Sequence, residues 1–122
     1  MRKSNNLLLG KKGEDIATDY LLHHGYTIVE RNFRKRYGDI DIVARKGDTL
    51  VFVEVKTRTS DLYGGGEEAI SRVKIYHLTR SAEYYLHIKN LKDTPMQVDL
   101  VSIYLDYDGR TNKINHYENI TG

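Results

Sequence analysis

A chain of 122 residues can build one hydrophobic core but not two, and its 39% hydrophobic and 30% charged residues are the balance of a folded, soluble domain. It has no cysteine, which excludes disulfides and thiolate metal sites and fits a reducing cytoplasm. The net charge of +2 is unevenly spread: residues 1–60 hold 12 Lys/Arg against 8 Asp/Glu, while residues 61–122 hold 7 against 9.

Residues 1–12 are polar and basic except for Leu7 to Leu9, an apolar run too short for a signal peptide or a membrane span. The expectation is a cytoplasmic protein with no membrane contact. From Gly13 to His24 the spacing of Ile16, Ala17, Tyr20 and Leu21 predicts a helix, and Gly25 ends it. Tyr26 to Val29 reads as a strand and Arg31 to Arg36 as a basic connector. Asp39 to Ala44 and Leu50 to Lys56 read as two strands joined by a hairpin turn at Gly47-Asp48. Ser60 to Gly66 is a glycine-rich loop. Glu67 to Leu86 is the longest helical stretch, with Ile70, Val73, Leu78, Ala82, Tyr85 and Leu86 as its apolar side. Gln97 to Tyr107 and Lys113 to Tyr117 are the last strands, separated by a turn at Asp108-Gly109. The order helix, three strands, helix, two strands predicts a single α/β domain, a mixed sheet flanked by helices.

The chemistry concentrates between Gly38 and Arg58. Asp41, Glu54 and Lys56 interrupt runs that are otherwise oily, and buried carboxylates are costly without a partner. A hairpin centred between Gly47 and Asp48 pairs residues whose numbers sum to 95. Ala44 then faces Val51, Ile42 faces Val53, and Asp41 faces Glu54, with Cβ atoms of such pairs roughly 5 Å apart. Two carboxylates that close repel unless a cation bridges them, and Mg²⁺ suits their oxygens. Leu50 to Val53 reads as a central strand buried on both faces, with Glu54 and Lys56 on one face at its C-terminal end. Lys56 can carry charge to a phosphate, or orient a water and help deprotonate it. The alternative is an ordinary Glu–Lys ion pair at a strand end. Glu14 lies one turn before Ala17 and two before Leu21, on their face, so it points toward the core; it also has the plainer reading of a first-turn glutamate favoured by the helix dipole, as does Asp15.

Other motifs are thin. His23, His24, His77, His87 and His116 form no HExxH-type pair and read as surface or packing residues. Gly64-Gly65-Gly66 precedes a helix but lacks the lysine and Ser/Thr of a phosphate loop; a mobile loop beside a substrate channel fits it better. Tyr37 and Tyr63 flank the acidic stretch and could stack on bases. No serine has a nucleophile-elbow setting.

Four segments together resemble a known family: Gly10-Lys-Lys-Gly13-Glu14-Asp-Ile-Ala17, Gly25-Tyr26-Thr-Ile-Val-Glu-Arg-Asn32-Phe-Arg34, Gly38-Asp-Ile-Asp41 and Phe52-Val-Glu54-Val-Lys56-Thr-Arg58. They look like the YraN family, also called UPF0102, a widespread bacterial group described as endonucleases and similar in pattern to archaeal Holliday-junction resolvases. The resemblance implies a restriction-endonuclease-like fold of the PD-(D/E)xK nuclease type over residues 1–122. It implies that Asp41, Glu54 and the main-chain carbonyl of Val55 ligate Mg²⁺ or Mn²⁺, that Lys56 positions the attacking water, and that Glu14 completes the acidic site directly or through water. Arg34, Arg36, Arg58 and Lys74 would meet the phosphate backbone of DNA. The chain departs from the family at Asp39, where Glu is usual, and at Gln97-Val98-Asp99, where the family tends to show Arg-Phe-Asp.

The resulting expectation is a metal-dependent endonuclease on DNA, with branched or junction DNA favoured and a homodimer suited to a two-fold junction. The alternative is a non-catalytic nucleic-acid-binding module, a partner in a DNA repair, recombination or uptake complex.

Overall fold

The oily run at 50–53 is the spine of the molecule: Leu50, Val51, Phe52 and Val53 are all buried. It lies in β3 (Thr49–Thr59), the middle strand of a five-stranded sheet ordered β1-β2-β3-β4-β5. The structure, a computed structural model, describes residues 2–35, 38–59 and 70–121. β1 (Thr27–Lys35), β2 (Gly38–Lys46) and β3 are antiparallel neighbours; β4 (Met96–Leu105) runs parallel to β3, and β5 (Thr111–Tyr117) returns antiparallel to β4. Parallel neighbours need a crossover, and α2 (Arg72–Ile88) supplies it.

The sheet is covered on both faces. Ala17 and Leu21 of α1 (Arg2–His23) pack on Ile42, Val51, Val53 and Val101. Leu78, Ala82 and Tyr85 of α2 pack on the other face, against Phe33, Val43, Phe52 and Val98. Burial on both faces is why β3 reads as continuous oil rather than as alternation. This is the mixed, helix-flanked α/β sheet expected of a restriction-endonuclease-like domain. No helix among the described residues is long and apolar enough to cross a membrane.

Several boundaries differ from expectation. α1 begins at Arg2, not Gly13. Residues 2–12 carry no apolar periodicity, but extending a helix whose later turns are already packed costs little. Glu14 is therefore mid-helix, and the first-turn reading of it falls away. Its start apart, the helix ends as expected: the Tyr26 N–H bonds the Leu21 carbonyl and Gly25 takes φ +88. The basic stretch at 31–35 is not a connector but the second half of β1, paired with β2 through Arg31↔Ile42 and Phe33↔Ile40. Tyr26 precedes the strand. β3 continues to Thr59, which puts Glu54 and Lys56 inside the strand rather than at its end. α2 begins at Arg72, where the Ser71 hydroxyl accepts the Lys74 N–H at 3.0 Å as N-cap. Val73 is exposed instead of joining the apolar side. The loop around 60–66, together with Arg36, Tyr37, Tyr63, Glu67 and Glu68, lies outside the described residues.

One close approach sets α1 on the sheet. A Cβ at Gly13 would land on Thr57 Oγ1 of β3, so the helix backbone sits directly on the strand there. That contact puts Glu14, the next residue, at the edge of the core.

Candidate active site

The hairpin register is the expected one from Ile42↔Val53 to Lys46↔Thr49. It stops one rung short of Asp41 and Glu54. In place of that rung, the Val55 N–H donates to Asp41 Oδ2 at 2.8 Å. Side-chain alternation slips at the same point. Ile42 and Ala44 lie under α1 and Val43 under α2, as period two requires, yet Ile40 also lies on the α2 side. In β1, Asn32, between the Arg31↔Ile42 and Phe33↔Ile40 pairs, takes φ +57. Both strands are thus irregular where Asp41 sits, and such irregularities re-aim a side chain.

Burial raises the Asp41 pKa first, and the nearby Glu14 charge adds to it; the Val55 N–H and Arg34 oppose the rise. Arg34 is held for this. Its Nη2 donates to Asn32 Oδ1 at 2.8 Å, and its Nη1 lies 3.8 Å from Asp41 Oδ1 and 3.7 Å from Asp39 Oδ2.

Glu54 is buried in β3 and faces α2, where Lys74 Nζ lies 3.5 Å from Oε2. Its pKa is pushed up to about 7, by burial first and then by the Asp41 charge, with Lys74 opposing. A hydrogen bond between the two carboxyls enters both shifts. Lys56 and Arg58 follow at strand spacing on the same face as Glu54, both half-buried. Lys56 has no ion-pair partner among the described residues, and its neighbour across the parallel pairing is Ser102, a buried residue whose hydroxyl is unpartnered.

Glu14 stands on the other side of Asp41. Arg31 donates to Glu14 Oε1 from Nε at 3.2 Å and from Nη2 at 3.0 Å, and Nη2 also reaches Asp15 Oδ1 at 2.7 Å. A cleft of about 360 Å³ opens here, lined by Glu14, Asp41 and Val55 together with the cations Lys11, Arg31 and Arg34. Its lining sets two carboxylates beside three cations, and the cations favour an anionic ligand.

Asp41, Glu54 and Glu14 are therefore neighbours in sequence of influence, but they do not form one ring of ligands: among the described residues no three Asp, Glu, His or Cys side chains cluster closely enough to hold a metal. The donor set is a pair of carboxylates whose pKa values are both raised. That chemistry fits Mg²⁺ or Mn²⁺, since Mg²⁺ takes one or two carboxylates and fills its remaining positions with water. Glu14, tied up by Arg31, fits a role through water better than a direct one.

Arg31 and Asn32 carry no site signal in the sequence, where Arg31 to Arg36 reads as a basic connector. His116 likewise reads from the sequence only as a surface or packing residue. His116 Nε2 lies 2.7 Å from Oδ2 of the fully buried Asp99, and its Nδ1 lies 3.0 Å from the Tyr20 hydroxyl. Gln97 and the Asn119 N–H donate to Asp99 Oδ1. The signal was Asp99 itself, a carboxylate inside an oily strand, as Asp41 is.

The profile of the family described as "Uncharacterised protein family UPF0102" matches residues 13–103. A "UPF0102 protein" of Caldicellulosiruptor saccharolyticus is 41% identical over 115 residues, covering 94% of this chain and 98% of that one. One from Syntrophomonas wolfei is 46% identical over 119 residues, covering 93% and 97%. Among solved structures, Pyrococcus furiosus SfsA in complex with Ca²⁺ is 18% identical with a TM-score of 0.44; 93% of this chain matches 63% of that longer one, a likeness too loose to assign a fold.

Proposed function

We propose that this chain, which belongs to the UPF0102 family, is a metal-dependent endonuclease that hydrolyses phosphodiester bonds in DNA. The observation that carries the reading is the Asp41–Glu54 pair: two neighbouring carboxyls, both with pKa values raised by burial and Glu54 raised further by the Asp41 charge, beside a cleft lined by cations. Such a pair is relieved by a divalent cation. Asp41, Glu54 and the main-chain carbonyl of Val55 would hold Mg²⁺ or Mn²⁺, with Glu14 reaching it through water. When bound, the metal supplies positive charge to the scissile phosphate and acidifies a water. Lys56, on Glu54's face, orients that water and stabilises charge on the phosphate. Arg34, Arg58 and Lys74 receive neighbouring phosphates; Arg36 has this role on its motif alone. Branched DNA and a two-fold dimer are supported by the family's similarity to junction resolvases.

A second reading has its own observation. Arg34 and Lys74 already neutralise Asp41 and Glu54 in part, so the acidic pair also suits a nucleic-acid-binding module that cuts nothing. The deciding experiment offers labelled duplex, single-stranded, flap and four-way-junction DNA with Mg²⁺ or Mn²⁺ to wild type and Asp41→Asn. Metal-dependent products that vanish in the variant support the nuclease. Intact but bound DNA under every condition supports the binding module.

A further inference from the structure

Glu54 and Asp41 are paired with cations of different kinds. Asp41 has Arg34, whose guanidinium is also anchored on Asn32. Glu54 has Lys74, whose ammonium forms no ion pair with any other carboxylate among the described residues. The Lys74 backbone is pinned, because its N–H is taken by the Ser71 cap at 3.0 Å. Its side chain is a flexible four-carbon stem, 44% exposed, carrying a point charge that needs no fixed orientation.

We propose that Lys74 competes with the divalent metal for Glu54, and that it is transferred from Glu54 to the substrate phosphate when the metal site fills. This rests on the reading of Asp41 and Glu54 as the metal site. A cation ligated by Glu54 is placed next to an ammonium 3.5 Å from the same carboxyl, and the two repel. Lys74 lowers metal affinity for as long as it stays on Glu54. A phosphate beside the carboxylate offers the stem another anion within its swing. Metal and DNA then favour each other's binding through one side chain, and the coupling is reciprocal. Lys74 is on this account a positioning and selectivity residue, which keeps the acidic pair from taking metal firmly before substrate arrives.

The test reads metal binding directly and needs no cleavage. Mn²⁺ is titrated into wild type, Lys74→Met, Lys74→Arg and Asp41→Asn in the same mildly alkaline buffer, and free Mn²⁺ is followed by electron paramagnetic resonance. Removing a like charge this close to the site is expected to tighten Mn²⁺ on the order of tenfold in Lys74→Met. Lys74→Arg, which keeps the charge, should stay near wild type, and Asp41→Asn should lose the site. Mn²⁺ bound equally or more weakly by Lys74→Met overturns the proposal while leaving the metal reading standing. An absence of Mn²⁺ binding in all four proteins overturns both.

Discussion

The Val55 main-chain N–H and the Asp41 carboxylate, 2.8 Å apart, take the place of a rung in the β2–β3 ladder. Asp41 therefore serves the fold as an acceptor and the proposed chemistry as an anion, and substitutions separate the two. Asp41→Asn keeps an oxygen for Val55 and should unfold close to wild type. Asp41→Ala leaves the Val55 N–H unpaired in a half-closed site, at a cost of about 1–3 kcal/mol. Urea unfolding of both variants checks this. Both should be inactive on DNA; an Ala variant as stable as the Asn variant would show that the bond carries no weight.

Glu54 makes stability depend on pH in a direction unusual for a carboxylate. Its pKa rises from 4.5 to about 7 on folding, so the folded state holds its proton more tightly than the unfolded chain. Stability from this group is complete below pH 4.5 and is lost as pH rises through about 7. The loss amounts to roughly 3 kcal/mol at most. Glu54→Gln cannot ionise and should melt higher than wild type at alkaline pH but not in acid. Mg²⁺ should raise the alkaline melting temperature of wild type and leave that of Glu54→Gln unchanged. Parallel pH profiles for the two proteins would remove Glu54 as the cause.

Gly13 is required by contact. An added Cβ meets three atoms of Thr57, so Gly13→Ala must push α1 off β3 and carry Glu14 away from the cleft. A cost of about 1–3 kcal/mol is expected, as for other overpacked sites. Thr57→Ala in the same chain removes two of the three atoms and should recover part of the loss. Additive effects of the two changes, measured in a double-mutant cycle, would contradict the packing account.

Asp99 and His116 form a second polar centre, bridging β4, β5 and, through Tyr20, α1. His116→Ala strips the buried Asp99 of one partner and should cost about 1.5–3 kcal/mol, the usual range for a hydrogen bond to a charged group. The Asp41 cleft shares no lining residue with this centre, so salt-dependent DNA affinity should be kept. Stability unchanged in urea, or DNA affinity lost along with it, would refute this division of labour.

Much of this was legible in the chain. Continuous oil at 50–53 announced a central strand, and the turn at Gly47-Asp48 set a register that the structure follows from Ile42↔Val53 onward. Asp41 and Glu54 stood out because ionisable groups in such runs need a reason. Glu14 was legible as core-facing from its helical phase, and it does line the cleft. Arg31 was not, since a run of basic residues carries no period by which to tell a strand from a loop, and only pairing with β2 makes it one.

Local pattern by itself determined the order of elements, the two-sided burial of β3 and the identity of the carboxylates, because periodicity and the cost of buried charge are properties of short segments. Tertiary structure decided which cation answers which carboxylate. Arg31 meets Glu14 across 17 positions, Lys74 meets Glu54 across 20, and His116 meets Asp99 across 17, each between different elements. It also decided that β2 breaks its alternation at Asp41. At that slip Asp41 accepts the Val55 main-chain N–H from another strand, a contact that no segment read alone contains.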